Sequence, residues 1–232
     1  RIACVLLRGN GAKAFCAGGD VRALVQACRD HPGSVPPLAA SFFAAEYRLD
    51  FALHTYPKPL LCWGHGHVLG GGMGLAQGAS HRIVTERSQL AMPETRIGFF
   101  PDVGGGYFLS RCPGYAGEWL ALTGNAVSGA DALAIGWADH WLPSTRLPEF
   151  WRQLAENEWS DSAAIAQWVA QSCDPAPAVS DDFDHGLVQA GRYFASGDMI
   201  SIVHALEQAK CDAWAQATAA TLRQRSPLML HV

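Results

Sequence analysis

Glycine-dense corners set against short apolar runs constrain this chain more than any other feature. Gly9-Asn10-Gly11 closes the run Ile2–Leu7, Gly18-Gly19 precedes a helical stretch, and Gly70-Gly71-Gly72 follows the run Leu60-Leu61-Cys62-Trp63. Short continuous apolar runs read as strands buried on both faces, and glycine turns corners that other residues resist. Asp20 is a helix cap for residues 21–30, which stop at Pro32-Gly33. A second helix is expected over 38–54, closed by Pro57 and Pro59, and a third from Gly70 to about 79. Strands are expected at 82–85, 89–92 and 139–142. The segment 98–106, dense in glycine with one proline, reads as an ordered loop, and from 107 onward the pattern is mostly helical. This makes the fold α/β with an α-rich second half, and 174–181 is the best linker candidate.

Composition narrows the function. Charged residues are only 16% against 49% hydrophobic, the opposite of a disordered chain. A net charge of −4 excludes a broad basic surface for nucleic acid. Eight Trp in a weakly charged chain leave apolar surface for a ligand or a partner chain, a homo-oligomer being one form of the latter. The seven Cys are widely spaced with no C-x-x-C, so they read as reduced core residues of an intracellular protein rather than zinc ligands. No apolar run is long enough to span a membrane. No targeting segment is visible, which suits a bacterial cytoplasmic protein, or a mitochondrial one in a eukaryote. The chain opens on a strand-like run without Met, so upstream residues are expected.

Several motifs bear on chemistry. Gly9, Gly11 and Ala14 form G-x-G-x-x-A with Asp30 near the acidic position of a dinucleotide fingerprint, but 13–19 reads as loop where that site needs a helix. His65-Gly66-His67 puts two imidazoles on one side of an extended segment; without a third ligand, hydrogen-bonded histidines beside a glycine turn are the better reading. Three other segments act as a set: Ala14-Phe15-Cys16-Ala17-Gly18-Gly19-Asp20, then Gly70-Gly71-Gly72-Met73-Gly74, then Met92-Pro93-Glu94-Thr95 with Phe100-Pro101-Asp102-Val103-Gly104-Gly105-Gly106. Outward N–H groups from two glycine loops suit an oxyanion hole. Glu94 and Asp102, in apolar surroundings, suit acid–base work. Singly, each segment reads as a cap or a corner; together, in this order, they do not.

These segments resemble the crotonase (enoyl-CoA hydratase/isomerase) superfamily, and most closely its 3-hydroxyisobutyryl-CoA hydrolase branch. Ala121-Leu122-Thr123-Gly124 and Ala134-Ile135-Gly136 add to the likeness, which is strong over 1–145 and weaker beyond, where Ser226-Pro227 resembles a late family motif. The resemblance implies a crotonase-like ββα spiral core over 1–145, lacking its first strands, and a truncated α-helical C-terminal region over 146–232. It implies that the N–H groups of Gly19 and Gly71 form the oxyanion hole, that Glu94 and Asp102 are the catalytic acids, and that Glu46 contacts substrate along with Gly71, Glu94 and Asp102. On residues alone, Glu46 reads as a solvated position on the 38–54 helix.

Hydratases of this superfamily carry a glutamate where this chain has Gly74, so water addition is disfavoured and thioester hydrolysis, a step of valine breakdown, is expected. A glutamate introduced at 74 is expected to bring hydration only where the pocket accommodates it. No metal or redox cofactor is implied, and CoA enters as part of an acyl-CoA substrate. The rival readings are another crotonase chemistry, as hydratase or isomerase, and a non-catalytic structural subunit, since some relatives of this hydrolase serve in mitochondrial ribosomes.

Overall fold

The computed structural model describes residues 2–231. In chain order it begins β1 (Val5–Arg8), β2 (Ala14–Cys16), α1 (Val21–Asp30), α2 (Pro37–His54), β3 (Leu60–Gly64), β4 (His67–Leu69), α3 (Gly71–Gln77), β5 (His81–Val84) and β6 (Gln89–Ala91). A 3₁₀ turn at Glu94–Ile97 and α4 (Gly105–Leu109) precede α5 (Ala116–Thr123), β7 (Val127–Ser128), α6 (Gly129–Ala134) and β8 (His140–Trp141). Five helices follow: α7 (Leu147–Glu156), α8 (Ser162–Ser172), α9 (Asp181–Tyr193), α10 (Met199–Gln208) and α11 (Ala213–Leu222).

The strands form two sheets. β1, β3, β5 and β8 make one, all parallel, and β2, β4, β6 and β7 make the other, parallel except for the β6–β7 pair. Each of the first three windings adds one strand to each sheet and then a helical segment, and the last runs β7, α6, β8. This is the strand–strand–helix spiral that the resemblance implies.

All five residues of β3 are buried, and its strand period divides them between two cores. Leu60 and Cys62 join a large cluster that reaches through Met73, Leu120 and Trp137 to Leu206 and Leu222 on the last helices. Leu61 and Trp63 face the other way, onto Ile83, Leu142, Phe150, Leu154, Ile165 and Val169. That sheet therefore lies between α7 and α8 on one side and the rest of the fold on the other.

Local differences from the sequence reading have physical causes. β2 and β4 were not foreseen, and residues 13–16 read as loop. These strands are three residues each, too short to show a period, and exist because they pair with each other, Ala14 with His67 and Cys16 with Val68. His65 and His67 do not share one extended segment, because Gly66 turns the chain at φ 69°. The glycine-rich 98–106 segment enters α4 at Gly105, and α3 ends at Gln77, two residues early. The linker candidate does connect α8 to α9, but it is tied down. Asp131 completes a capping box with Ser128 on α6, and its Oδ1 accepts from the Ser180 backbone N–H at 3.1 Å.

Candidate active site

The triple glycine at the head of α3 is surrounded so closely that each position excludes a side chain for a different reason. Gly70 has φ 55°, and a Cβ there would stand 2.7 Å from Glu94 Oε1. A Cβ on Gly71 would lie 2.6 Å from Glu46 Oε1, and one on Gly72 would strike the Cys16 carbonyl oxygen of β2. The turn before α3 is thus the meeting point of α2, of the segment after β6, and of the Cys16–Gly19 stretch.

The first glycine loop arrives at the same place. A Cβ on Gly18 would lie 3.6 Å from the Gly71 nitrogen, and Phe42 of α2 covers Gly19. Asp20 caps α1, accepting from the Ala23 N–H at 3.0 Å, as the cap reading expects. Among the described residues, neither the Gly19 nor the Gly71 N–H has a hydrogen-bond partner. Gly71 is the first residue of α3, where helix geometry leaves N–H groups free.

Glu94 opens the 3₁₀ turn and is 6% exposed. Its Oε2 is shielded and has no partner among the described residues. Burial pushes its carboxyl up to about 7, and the charges of Asp102 and Glu46 act in the same direction. Asp102 is half-buried. Burial raises it too, while a 2.7 Å hydrogen bond donated by the Tyr47 hydroxyl pulls it back. Glu46 is raised by burial and by Asp102, so it is not the solvated helix residue of the local reading. Glu46, Glu94 and Asp102 therefore stand together, beside Gly71.

A fourth carboxylate was missed from the sequence. Asp50, one helical turn beyond Glu46 on α2, has both oxygens shielded and unpartnered among the described residues. Burial, then Glu46 and Asp102, push it up to about 7. Two acids four residues apart on a helix in a chain so poor in charge were the available signal. Among the described residues none of the four carboxylates has an ion-pair partner. Burial raises all four, and Glu94 and Asp50 are pushed up to about 7, where a carboxyl can both give and accept a proton.

Position 74 has no room for a side chain. A Cβ there would lie 2.5 Å from Val103 Cβ and 3.2 Å from Asp50 Oδ1. The glutamate imagined at 74 would have to displace Val103, which is buried and held at φ 43°, a costly conformation for a β-branched residue.

The remaining motifs lie elsewhere. His65 Nδ1 is 3.0 Å from the Thr85 hydroxyl, a hydrogen-bonded histidine beside a glycine turn, and His67 is exposed. Among the described residues no group of His, Cys, Asp and Glu is placed to hold a metal ion, and no helix is long and apolar enough to cross a membrane. Next to the carboxylates, between α2 and α4, opens a cavity of about 1190 Å³, lined by Asp50, Asp102, Phe51, Phe100, Val103 and Tyr107 among others.

Comparison with known proteins agrees with this architecture. A family model for enoyl-CoA hydratase/isomerase matches residues 1–232. The chain is 38% identical to 3-hydroxyisobutyryl-CoA hydrolase 1 of Arabidopsis thaliana, over 98% of this chain and 60% of that protein. It is 46% identical to the mitochondrial 3-hydroxyisobutyryl-CoA hydrolase of Gallus gallus, over 88% of this chain and 53% of that one. A small ribosomal subunit protein of Neurospora crassa is 37% identical over 98% of this chain and 48% of its own length. Among solved structures, a carnitinyl-CoA dehydratase from Mycobacterium thermoresistibile superposes with a TM-score of 0.85 at 36% identity, covering 99% of this chain and 64% of that one. The chain thus spans roughly half to three-fifths of the curated relatives it matches. With the spiral of paired strands, the glycine turn and the full-length family match, the chain belongs to the enoyl-CoA hydratase/isomerase family.

Proposed function

We propose that the protein hydrolyses a short branched 3-hydroxyacyl-CoA thioester, 3-hydroxyisobutyryl-CoA, to CoA and the free hydroxy acid. The observation that carries this reading is Glu94: a buried carboxyl, with an unpartnered oxygen, against the turn that presents the Gly71 N–H. The thioester oxygen binds the Gly19 and Gly71 N–H groups, which stabilise the negative charge of the tetrahedral intermediate. Glu94 then works by one of two routes. As a base it takes a proton from water while the water oxygen bonds to the carbonyl carbon. As a nucleophile it bonds to that carbon itself, giving a mixed anhydride that water opens. In both, the C–S bond breaks and the sulfur leaves with a proton. Asp102 orients the water or supplies that proton, and Glu46 contacts the substrate. No metal or redox group takes part.

The similarity to a ribosomal subunit protein favours a second reading, a structural role without catalysis. The retained cluster of unpaired carboxylates speaks for the enzyme, since it costs stability without serving packing. Free-thiol release from 3-hydroxyisobutyryl-CoA, read beside hydration of crotonyl-CoA, tests the proposal. Thiol release with little hydration is expected. Efficient hydration would assign the chain to a hydratase, and inactivity on both would favour the structural role.

A further inference from the structure

Three acids from other segments pack against α3 and the turn before it. Gly70 abuts Glu94, Gly71 abuts Glu46, and Gly74 abuts Asp50. Gly71 and Gly74 are three residues apart, about 4.5 Å along a helix axis. Asp50 is the one furthest along α3 and also lines the large cavity between α2 and α4, together with Asp102 and Tyr47. Both of its oxygens are shielded from solvent, and neither has a hydrogen-bond partner among the described residues. A shielded carboxyl with no partner is costly, and such groups are retained where a ligand atom completes them. Its charged neighbours Glu46 and Asp102 are acids too, so they offer it no cation.

Resting on the acyl-CoA reading above, we propose that Asp50 is a specificity residue that hydrogen-bonds the 3-hydroxyl group of the acyl chain. With the thioester oxygen at the Gly71 N–H, the acyl group runs along α3 toward the cavity. The hydroxyl oxygen of a 3-hydroxyacyl group lies three bonds from the carbonyl carbon, a reach that matches the Gly71–Gly74 spacing. Asp50 abuts Gly74, whereas Glu94 abuts Gly70 at the turn before the helix, so the two acids meet different parts of an acyl group lying along α3. Held near 7 by burial, its carboxyl can donate to the hydroxyl or accept from it. An acyl-CoA lacking the hydroxyl would leave this carboxyl unpaired, and sites of that kind discriminate strongly.

The test is equilibrium binding, by calorimetry, of 3-hydroxyisobutyryl-CoA and isobutyryl-CoA to protein carrying Glu94→Gln, so that turnover does not intrude. The hydroxylated thioester is expected to bind about 10–100-fold more tightly. Adding Asp50→Leu should bring the two dissociation constants together, and Asp50→Asn, which keeps the shape and a hydrogen-bonding group, should retain most of the preference. An equal preference with Leu at this position, or no preference in the parent, overturns the assignment even where the protein releases thiol. A preference that vanishes with Leu supports it even where no thiol is released, in which case only the hydrolase reading falls. If neither thioester binds, both readings fall together.

Discussion

The Tyr47 hydroxyl donates a 2.7 Å hydrogen bond to Oδ2 of Asp102, joining α2 to the strained loop before α4 across 55 residues of sequence. This bond offsets part of the burial that raises Asp102. Tyr47→Phe removes the donor, so the Asp102 carboxyl should rise further. As donor of the proton to sulfur, Asp102 then stays protonated further up the scale, so the alkaline limb of the pH–kcat/KM profile should move to higher pH. Asp102→Asn should cost roughly 10²–10⁴-fold in rate. A Phe variant with the parent pH profile would remove Tyr47 from the site.

Glu94 makes two pH predictions. As base or nucleophile it must be ionised, so kcat should rise with pH and reach half its plateau near 7. Stability should move the opposite way. The carboxyl is raised from 4.5 to about 7 on folding, so the native state holds a proton that the unfolded chain has lost. That contribution is complete below about pH 4.5 and is lost as the pH rises through about 7. Glu94→Gln should abolish turnover yet unfold at higher denaturant at pH 8, by about 1–3 kcal/mol. Chemical denaturation at pH 5 and pH 8 checks this, and a less stable Gln variant at pH 8 would contradict the account.

Gly71→Ala places a methyl group where Glu46 Oε1 now lies. It should displace the Glu46 carboxylate and tilt the Gly71 N–H, lowering kcat by roughly 10²–10³-fold. Steady-state kinetics, with circular dichroism to verify the fold, provide the measurement. Near-normal kcat in a folded Ala variant would exclude this amide from the reaction.

Asp131 is 5% exposed and serves two partners, the α6 cap and the Ser180 N–H. Asp131→Ala should destabilise the protein by about 2 kcal/mol, more than an ordinary cap, because Ser180 also loses its acceptor. Protease cleavage within 174–181 should accelerate in the same variant. Unchanged cleavage would show that the anchor does not hold that segment.

The parts of the fold that were legible in the sequence are those whose determinants are local. Leu60–Trp63 reads as a buried strand because it is buried on both faces, and Asp20 reads as a cap because capping needs only the next three residues. β2 and β4 were not legible because their pairing partner, not their sequence, makes them strands. At the site, the glycine corners and Glu94 stood out through motif likeness. Asp50 did not, because on a helix it is indistinguishable from a surface acid until the fold packs it beside Gly74, Glu46 and Asp102. The lack of space at 74 was hidden for the same reason: it arises from a valine 29 positions away in sequence, held in a left-handed bend.

The glycines that open α3 also govern when the site can exist. A seven-residue helix with Gly71, Gly72 and Gly74 among its residues has almost no helical tendency, since each glycine costs about 1 kcal/mol relative to alanine and so short a helix is unstable alone. Its stability must come from β2, α2 and the segment carrying Glu94, which pack against it. The candidate site is therefore expected to open at lower denaturant than the cores. Its amides should exchange with solvent well before those of β3, and activity should disappear at denaturant concentrations where the two cores are still intact.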